Sequence, residues 1–384
     1  MTARFASALS AHPDTAIAVG EVVGTVVEQL SDTPDIAVVT MTGHHVDRAD
    51  ELARTIHRVL TPGCLVGASA AGVLGCGEGR EHEPGLALWT ATLGVDARIV
   101  DLEAIPSDGS MAVVGVEDDD LARAGSLVLW VDPWSFPTDA LLHHLARHHP
   151  HLQVVGGFAS AGRGAGANRL ISGASARARG AVGLLLPPGV LRATVVSQGC
   201  RPVGQAWTVT ASHGNVIEQL GGRSAWERLA DLVTTLDPAD RALAMNGLHC
   251  GLLADDRALD PDRGDFLVRG VVGVDQERGS VSVSADVPLG TVIQFHVRDS
   301  LTAGHDLERR LRAAVGTTGD AGNGALVFTC NGRGRAMFDT PHHDARIVQR
   351  VLGPHHVGMM CAGEIGPVAG RTHLHGFTAS VAMF

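Results

Sequence analysis

The chain has 384 residues, enough for two domains with separate cores. Its 45% hydrophobic and 18% charged residues are those of a globular protein, and a net charge of −11 with no basic run excludes nucleic acid or an anionic membrane as the main partner. Lysine is absent, which also excludes the P-loop type of nucleotide site.

The N-terminal MTARFASALSAHPDTAIAVG lacks the continuous apolar core of a signal peptide, and no window approaches the roughly 20 apolar residues of a membrane span. Six cysteines (64, 76, 200, 250, 330 and 361) form no CxxC pair and read as reduced thiols in the cytoplasm. IAVVTMTG (36–43) then reads as a strand ending in a turn. ADELARTIHRVL (49–60) follows as a helix with Leu52, Ile56, Val59 and Leu60 on one face. GASAAG (67–72) is a glycine bend, and LALWTATL (86–93) a further strand.

The same succession returns as SLVLWVDP (126–133), TDALLHHLARHHP (138–150) with Ala140, Leu141 and Leu145 inward, GFASAG (157–162) and AVGLLLP (181–187). It returns again as ALVFTCNG (325–332), DARIVQRVLGP (344–354) with Ile347, Val348 and Val351 inward, GMMCAG (358–363) and GFTASVAMF (376–384). From turn to bend is 24 residues in the first two copies and 26 in the third. Matching spacing and matching flanks read as an internal repeat of strand, helix, strand, glycine bend and strand. In this motif alignment Cys361 stands where the other copies have Ala70 and Ser160.

Between the second and third copies, residues 187–231 read as two strands, a Gly-Asn turn at 214–215 and a helix opened by Ser224 with Glu227 three residues on. An apolar run follows (241–253), and residues 266–299 alternate apolar and polar positions around turns at ERG and PLG, as hairpins do. The expected fold is α/β with mixed sheets, in two packed domains spanning 1–230 and 231–384.

A strand–helix–strand crossover makes a parallel pair, and ligands in such sheets sit beyond the carboxyl ends of the strands, where these bends fall. Gly157 and Gly363 allow close backbone approach there, and the small Ser69, Ser160 and Cys361 leave a concavity. GMMCAGEIGP (358–367) adds a thiol and a carboxylate: a nucleophile with its base, a metal site, a pocket wall or simply a turn. Glu364, if buried, requires a partner; Arg371 or His373 would serve, unless the carboxylate caps its own bend or receives an amine of a ligand. Cys361 as nucleophile would need a base, for which His373 and His375 are the candidates, whereas a space-filling residue explains the same position. Asn331 and Arg333, at the end of the neighbouring strand, are further pocket candidates or parts of a solvated turn. Arg201, in a Gly-Cys-Arg-Pro turn, is suited to a carboxylate or phosphate, or to an intramolecular salt bridge. The 20 histidines include adjacent pairs at 44–45, 143–144, 148–149, 342–343 and 355–356. Neighbours on a helix diverge by about 100°, there is no HExxH, and no metal site is expected. Haem would need a single axial histidine and stays open.

VVGGFASAG (154–162), VSQGCRPVG (196–204) and the tail MMCAGEIGPVAGRTHLHGFTASVAMF (359–384) resemble the FIST family, whose members pair an N-terminal with a C-terminal FIST domain. The likeness runs from about residue 35 to the end. The matching positions are Gly156, Gly157, Gly199, Arg201, Pro202, Cys361, Gly363, Glu364, Gly366, Pro367 and His375. The resemblance implies a cytoplasmic sensor of a small metabolite, such as an amino acid, working in signal transduction. The pocket is expected between the two domains, walled by CNGRG (330–334), GFASAG (157–162), Arg201 and the stretch from Gly363 to Glu364. It also implies a separate signalling partner, since family members that act beside kinase or cyclase modules have an output that this sequence does not show. A haem-binding, nitric-oxide-sensing subgroup supplies one alternative, and an enzyme using Cys361 with Glu364 or His375 the other.

Overall fold

Three strand–helix–strand segments form as the spacing predicts. A computed structural model describes residues 3–30, 32–107, 110–254, 266–318 and 324–384. Strand Ile36–Thr42 pairs in parallel with Cys64–Ala70 and antiparallel with Leu86–Thr92. Ser126–Val131 does the same with Gln153–Phe158 and Ala181–Leu186. So does Ala325–Cys330 with His356–Cys361 and Thr378–Met383. Every residue of the three first strands is buried, because helices cover one face of each sheet and a shared core the other. This is why these strands are continuous apolar runs rather than alternating ones.

The chain between each bend and its return strand holds a hairpin that the sequence did not reveal. Gly72–Gly75 with Glu78–Glu81 follows the first bend and joins the third sheet, beside His356–Cys361. Leu170–Ser172 with Ser175–Arg177 follows the second and joins the first sheet, beside Cys64–Ala70. Glu364–Val368 with Arg371–His375 follows the third and joins the second sheet, beside Gln153–Phe158. Each sheet is therefore completed by a hairpin from another segment. The inner faces meet in one core around Trp89, Trp130, Phe328, Met359 and Phe384.

Helix Ala49–Leu60 buries Ala49, Leu52, Ala53, Ile56 and Leu60, but Val59, expected inward, is 51% exposed because it lies at the margin of that stripe. In helix Thr138–His148 the buried positions are Thr138, Leu141, Leu142 and Leu145. Ala140, also expected inward, is exposed, since it points opposite the stripe that Thr138 begins. Helix His343–Leu352 buries Ile347, Val348 and Val351 as expected.

Compactness divides the chain elsewhere than at residue 230. The larger unit comprises residues 1–196, 307–374 and 378–384; the smaller comprises 197–306 and 375–377. The smaller unit contains a closed antiparallel barrel, ordered Cys200–His213, Val292–Arg298, Leu248–Leu253, Phe266–Asp275, Ser280–Val283 and Val216–Leu220, with the first and last strands also paired. Val209, Ile217, Cys250, Val281 and Phe295 fill its core. Ser224 caps helix Ala225–Thr235 as predicted, its Oγ accepting the Glu227 N–H at 3.3 Å. Along the sequence, this barrel interrupts the third segment between strand Ala193–Gln198 and helix Ser300–Thr318.

Gly67, Gly156 and Gly358 face the carbonyls of Val39, Leu129 and Val327 across the parallel pairs, and a methyl group on any of them would collide with that oxygen. These three glycines align the segments, and they place Cys361 opposite Ala70 and Ala159, not Ser160. All three of those residues sit in the shared core. Gly156→Ala is expected to lower unfolding free energy by about 1–3 kcal/mol or more, because backbone cannot yield as a side-chain tip can. Gly24→Ala, on the exposed side of helix Thr15–Gln29 with nothing near its added methyl, is expected to raise it by about 0.5–1 kcal/mol. Urea unfolding of both variants checks the contrast; equal effects would mean the close approach at Gly156 is not a constraint.

Candidate functional site

Where the chain leaves one sheet for the next, the three bends meet. The Ser160 N–H donates to the Ser69 carbonyl at 3.2 Å, and the Ala362 N–H donates to the Phe158 carbonyl at 3.2 Å. The remaining link, from Ala71 to Met360, runs through a side chain: the Ser160 hydroxyl accepts the Ala71 N–H at 2.9 Å and donates to the Met360 carbonyl. Ser160 thus closes a ring of hydrogen bonds joining all three bends. Ser69 fixes the strand beside it, its Oγ accepting the Arg169 N–H at 2.8 Å.

Over this ring lies a cavity of about 570 Å³, lined by Thr42, Gly43, His44, Ala70, Ala71, His82, Ser160, Ala161, Gly162, Arg163 and Asn331. It is built from the ends of the first strands of the first and third segments and from the first two bends. Of the expected site residues, Ser160 and Asn331 are on its wall. His44, His82 and Arg163 were not anticipated. His44 and Arg163 directly follow a strand end and a glycine bend, which was the available signal; His82 is brought in by the hairpin that crosses to the third sheet. The lining carries no carboxylate. Arg163 is exposed and makes no ion pair among the described residues.

Most other expected site residues lie beneath the wall or apart from it. Glu364 is fully buried, and its Oε2 accepts the Thr378 N–H at 3.1 Å and hydroxyl at 2.8 Å. It therefore caps a strand 14 residues on, rather than its own bend or a ligand, and its partner is neither Arg371, which is exposed, nor His373. Burial pushes its pKa up to about 8, against the pull of the Thr378 bonds, the Arg333 charge and the Cys330 thiol. Cys361 is buried too, with its Sγ directed to the Met359 carbonyl at 3.5 Å. Burial, then the proximity of Glu364 and Cys330, holds its thiol well above the ordinary value. The protonated thiol is the poor nucleophile of the pair, so this environment opposes catalysis by Cys361. A Cβ on Gly157 would strike the Cys361 sulfur, so Gly157 opens space for a core thiol rather than for a ligand. Gly363 is buried, and its carbonyl accepts the Phe158 N–H at 2.9 Å.

Arg333 turns inward instead of lining a pocket. Its side chain is fully buried in a two-pronged pair with Asp344, at 2.9 and 3.0 Å, above the Phe338 ring. Burial opposes ionisation of Asp344, but the Arg333 charge with bonds from His343 and Arg333 outweighs it and holds the carboxyl below its usual range. The adjoining cavity, about 30 Å³, has room for a water and not for a metabolite. In the smaller unit Arg201 makes the intramolecular salt bridge: Nε to Asp299 at 2.6 Å, and the guanidinium fork to Asp240. His375 is buried in that unit. All six cysteines are free, and among the described residues no helix is long and apolar enough to cross a membrane.

The family model for the FIST N domain matches residues 35–223, and that for the FIST C domain matches residues 225–367. The chain belongs to the FIST family. An uncharacterized protein of Mycobacterium bovis is 38% identical over 374 residues, covering 97% of this chain and 96% of the relative. An uncharacterized protein of Mycobacterium tuberculosis is 38% identical over 383 residues, 99% of each.

Two expectations follow from the ring and the buried acid. Ser160→Ala strands the Ala71 N–H and the Met360 carbonyl together, and is expected to lower unfolding free energy by about 1–3 kcal/mol. A variant as stable as wild type would show that the ring is not needed. Glu364→Gln keeps the oxygen that Thr378 uses and cannot ionise. The folded chain holds the Glu364 proton until about pH 8, the unfolded chain only to 4.5. This group's stabilising share is thus full below pH 4.5 and is lost as pH rises through the folded value. In urea titrations E364Q is expected to gain on wild type between pH 5 and pH 8. A difference independent of pH would mean that Glu364 is already ionised in the fold.

Proposed function

We propose that this FIST-family chain is a cytoplasmic small-ligand sensor whose ligand occupies the cavity over the joined bends. The observation that carries the reading is the composition of that wall. In a chain of net charge −11, a cavity of about 570 Å³ gathers His44, His82 and Arg163 with Ser160 and Asn331, and no carboxylate. Its volume falls in the range of small-metabolite sites. Arginine and histidine with hydroxyl and amide neighbours are donors for an anion, so the ligand is a small carboxylate-bearing metabolite, an amino acid recognised by its carboxylate being one such molecule. The three segments share one pattern of strand pairing, and the site uses the strand ends at which crossover sheets commonly hold ligands. Binding rather than chemistry fits a site whose nearby thiol is buried and protonated. The signal passes to a separate protein.

Thermal shift with a panel of small carboxylates (acetate, succinate, glutamate, citrate) against matched amines tests this, since a ligand bound only by the folded state raises the melting temperature. At least one carboxylate is expected to stabilise the chain and the amines are not. Arg163→Ala should weaken that binding about tenfold to a hundredfold, the effect of one charge-assisted hydrogen bond, while leaving the unliganded melting temperature unchanged. Binding that is indifferent to Arg163, or a preference for amines, would overturn the anionic pocket.

A further inference from the structure

We infer that Asp118, His144 and His149 form a binding site for a divalent transition metal of the zinc type, separate from the cavity described above. Asp118 is the first residue of helix Asp118–Arg123, and His144 lies on helix Thr138–His148. His149 is the residue at which that second helix ends. Its backbone is fixed on both sides, its N–H donating to Leu145 at 2.7 Å and its carbonyl accepting from Leu152 at 3.0 Å. The His149 ring is only 4% exposed, and its Nε2 lies 2.8 Å from Asp118 Oδ1. Across the three residues, one donor atom from each lies within 4.8 Å of the other two.

This spacing is close to what a tetrahedral ion requires. Metal–nitrogen and metal–oxygen bonds of about 2.0–2.2 Å place neighbouring ligand atoms roughly 3.4 Å apart. Asp118 and His144 are exposed and free to close the remaining distance, while His149 is already held, so little order has to be gained on binding. Two imidazoles and one carboxylate suit zinc, nickel or copper rather than magnesium or calcium, which prefer oxygen alone. Three protein ligands leave a fourth position for solvent. The adjacent-pair argument from the sequence does not reach this set. His144 and His149 belong to different pairs, and the helix ends between them, which frees His149 from the 100° divergence of neighbours.

The test uses the full chain without an affinity tag, stripped with a chelator and titrated with Zn2+ by calorimetry, with Co2+ as a spectroscopic probe. One ion per chain is expected, with tetrahedral Co2+ bands, no competition from Mg2+ or Ca2+, and weaker binding on acidification because ligand nitrogens must be unprotonated. His144→Ala and Asp118→Asn change exposed side chains, so both should fold as wild type does by circular dichroism. Each should weaken Zn2+ at least about tenfold, as disturbing a metal's immediate surroundings does. Absence of stoichiometric Zn2+ in the wild type, or its retention in both variants, overturns the assignment.

Discussion

The exchange of hairpins among three sheets is the constraint on which the larger unit depends. A parallel strand pair has two apolar faces and a second strand whose outer edge is open; here that edge is filled each time by a hairpin arriving from another segment. No segment can complete its own sheet. The crossings must therefore occur at one place, and buried backbone at a crossing still needs partners for its N–H and carbonyl groups. The ring of bends supplies them. Two of its links are direct, and the third is lengthened by the Ser160 hydroxyl, so a single side chain accommodates the departure from threefold regularity.

Beneath the ring, the unit keeps charge to what geometry can neutralise. Arg333 and Asp344 are both buried, and the pair survives because Thr329 and His343 also bond the carboxylate and Phe338 lies under the guanidinium. Glu364 has no such full ion pair and takes the other route, holding its proton into mildly alkaline pH. The signature sequence around Cys361 and Glu364 is accordingly a statement about packing at the third crossing. Gly157 makes room for the sulfur, and Thr378 satisfies the acid.

What was legible in the sequence is what local physics dictates. Doubly buried strands appear as apolar runs, helices as stripes, and close backbone approach as glycine, so the three segments, the Ser224 cap and the barrel hairpin at ERG could be read. The strands on either side of PLG, expected as a second hairpin, pair with other strands instead, because barrel closure and not the local turn sets their neighbours. Pairing between segments was not legible. GVLG (72–75) and EIGPV (364–368) are too short to mark themselves as strands, and nothing local says which sheet receives them. The one-residue slip at GGFASAG followed from matching letters: Gly157 fits the motif, but Gly156 faces the Leu129 carbonyl, and only the pairing register distinguishes them. Arg333 and Arg201 looked like ligand donors because their acidic partners stand 11 and 98 residues away in sequence, or 39 for Asp240.

Two residues, Ala71 and Ser160, belong both to the cavity wall and to the ring. That double membership bears on how a proposed sensor could report its ligand. A ligand shifts an equilibrium only by its differential affinity for the two states, so the wall must contain something with two arrangements. Packed sheets deform little, and the fully buried strands are poor candidates. The link through Ser160 is better placed, because a hydroxyl that both accepts from Ala71 and donates to Met360 can rotate toward an occupant only by giving up the Met360 carbonyl, which opens the ring between the first and third bends. An anion accepting from Ser160 would compete directly with the Met360 carbonyl for the same proton. Occupancy would then be felt at the crossing of all three sheets, without any movement of the strands that build the pocket.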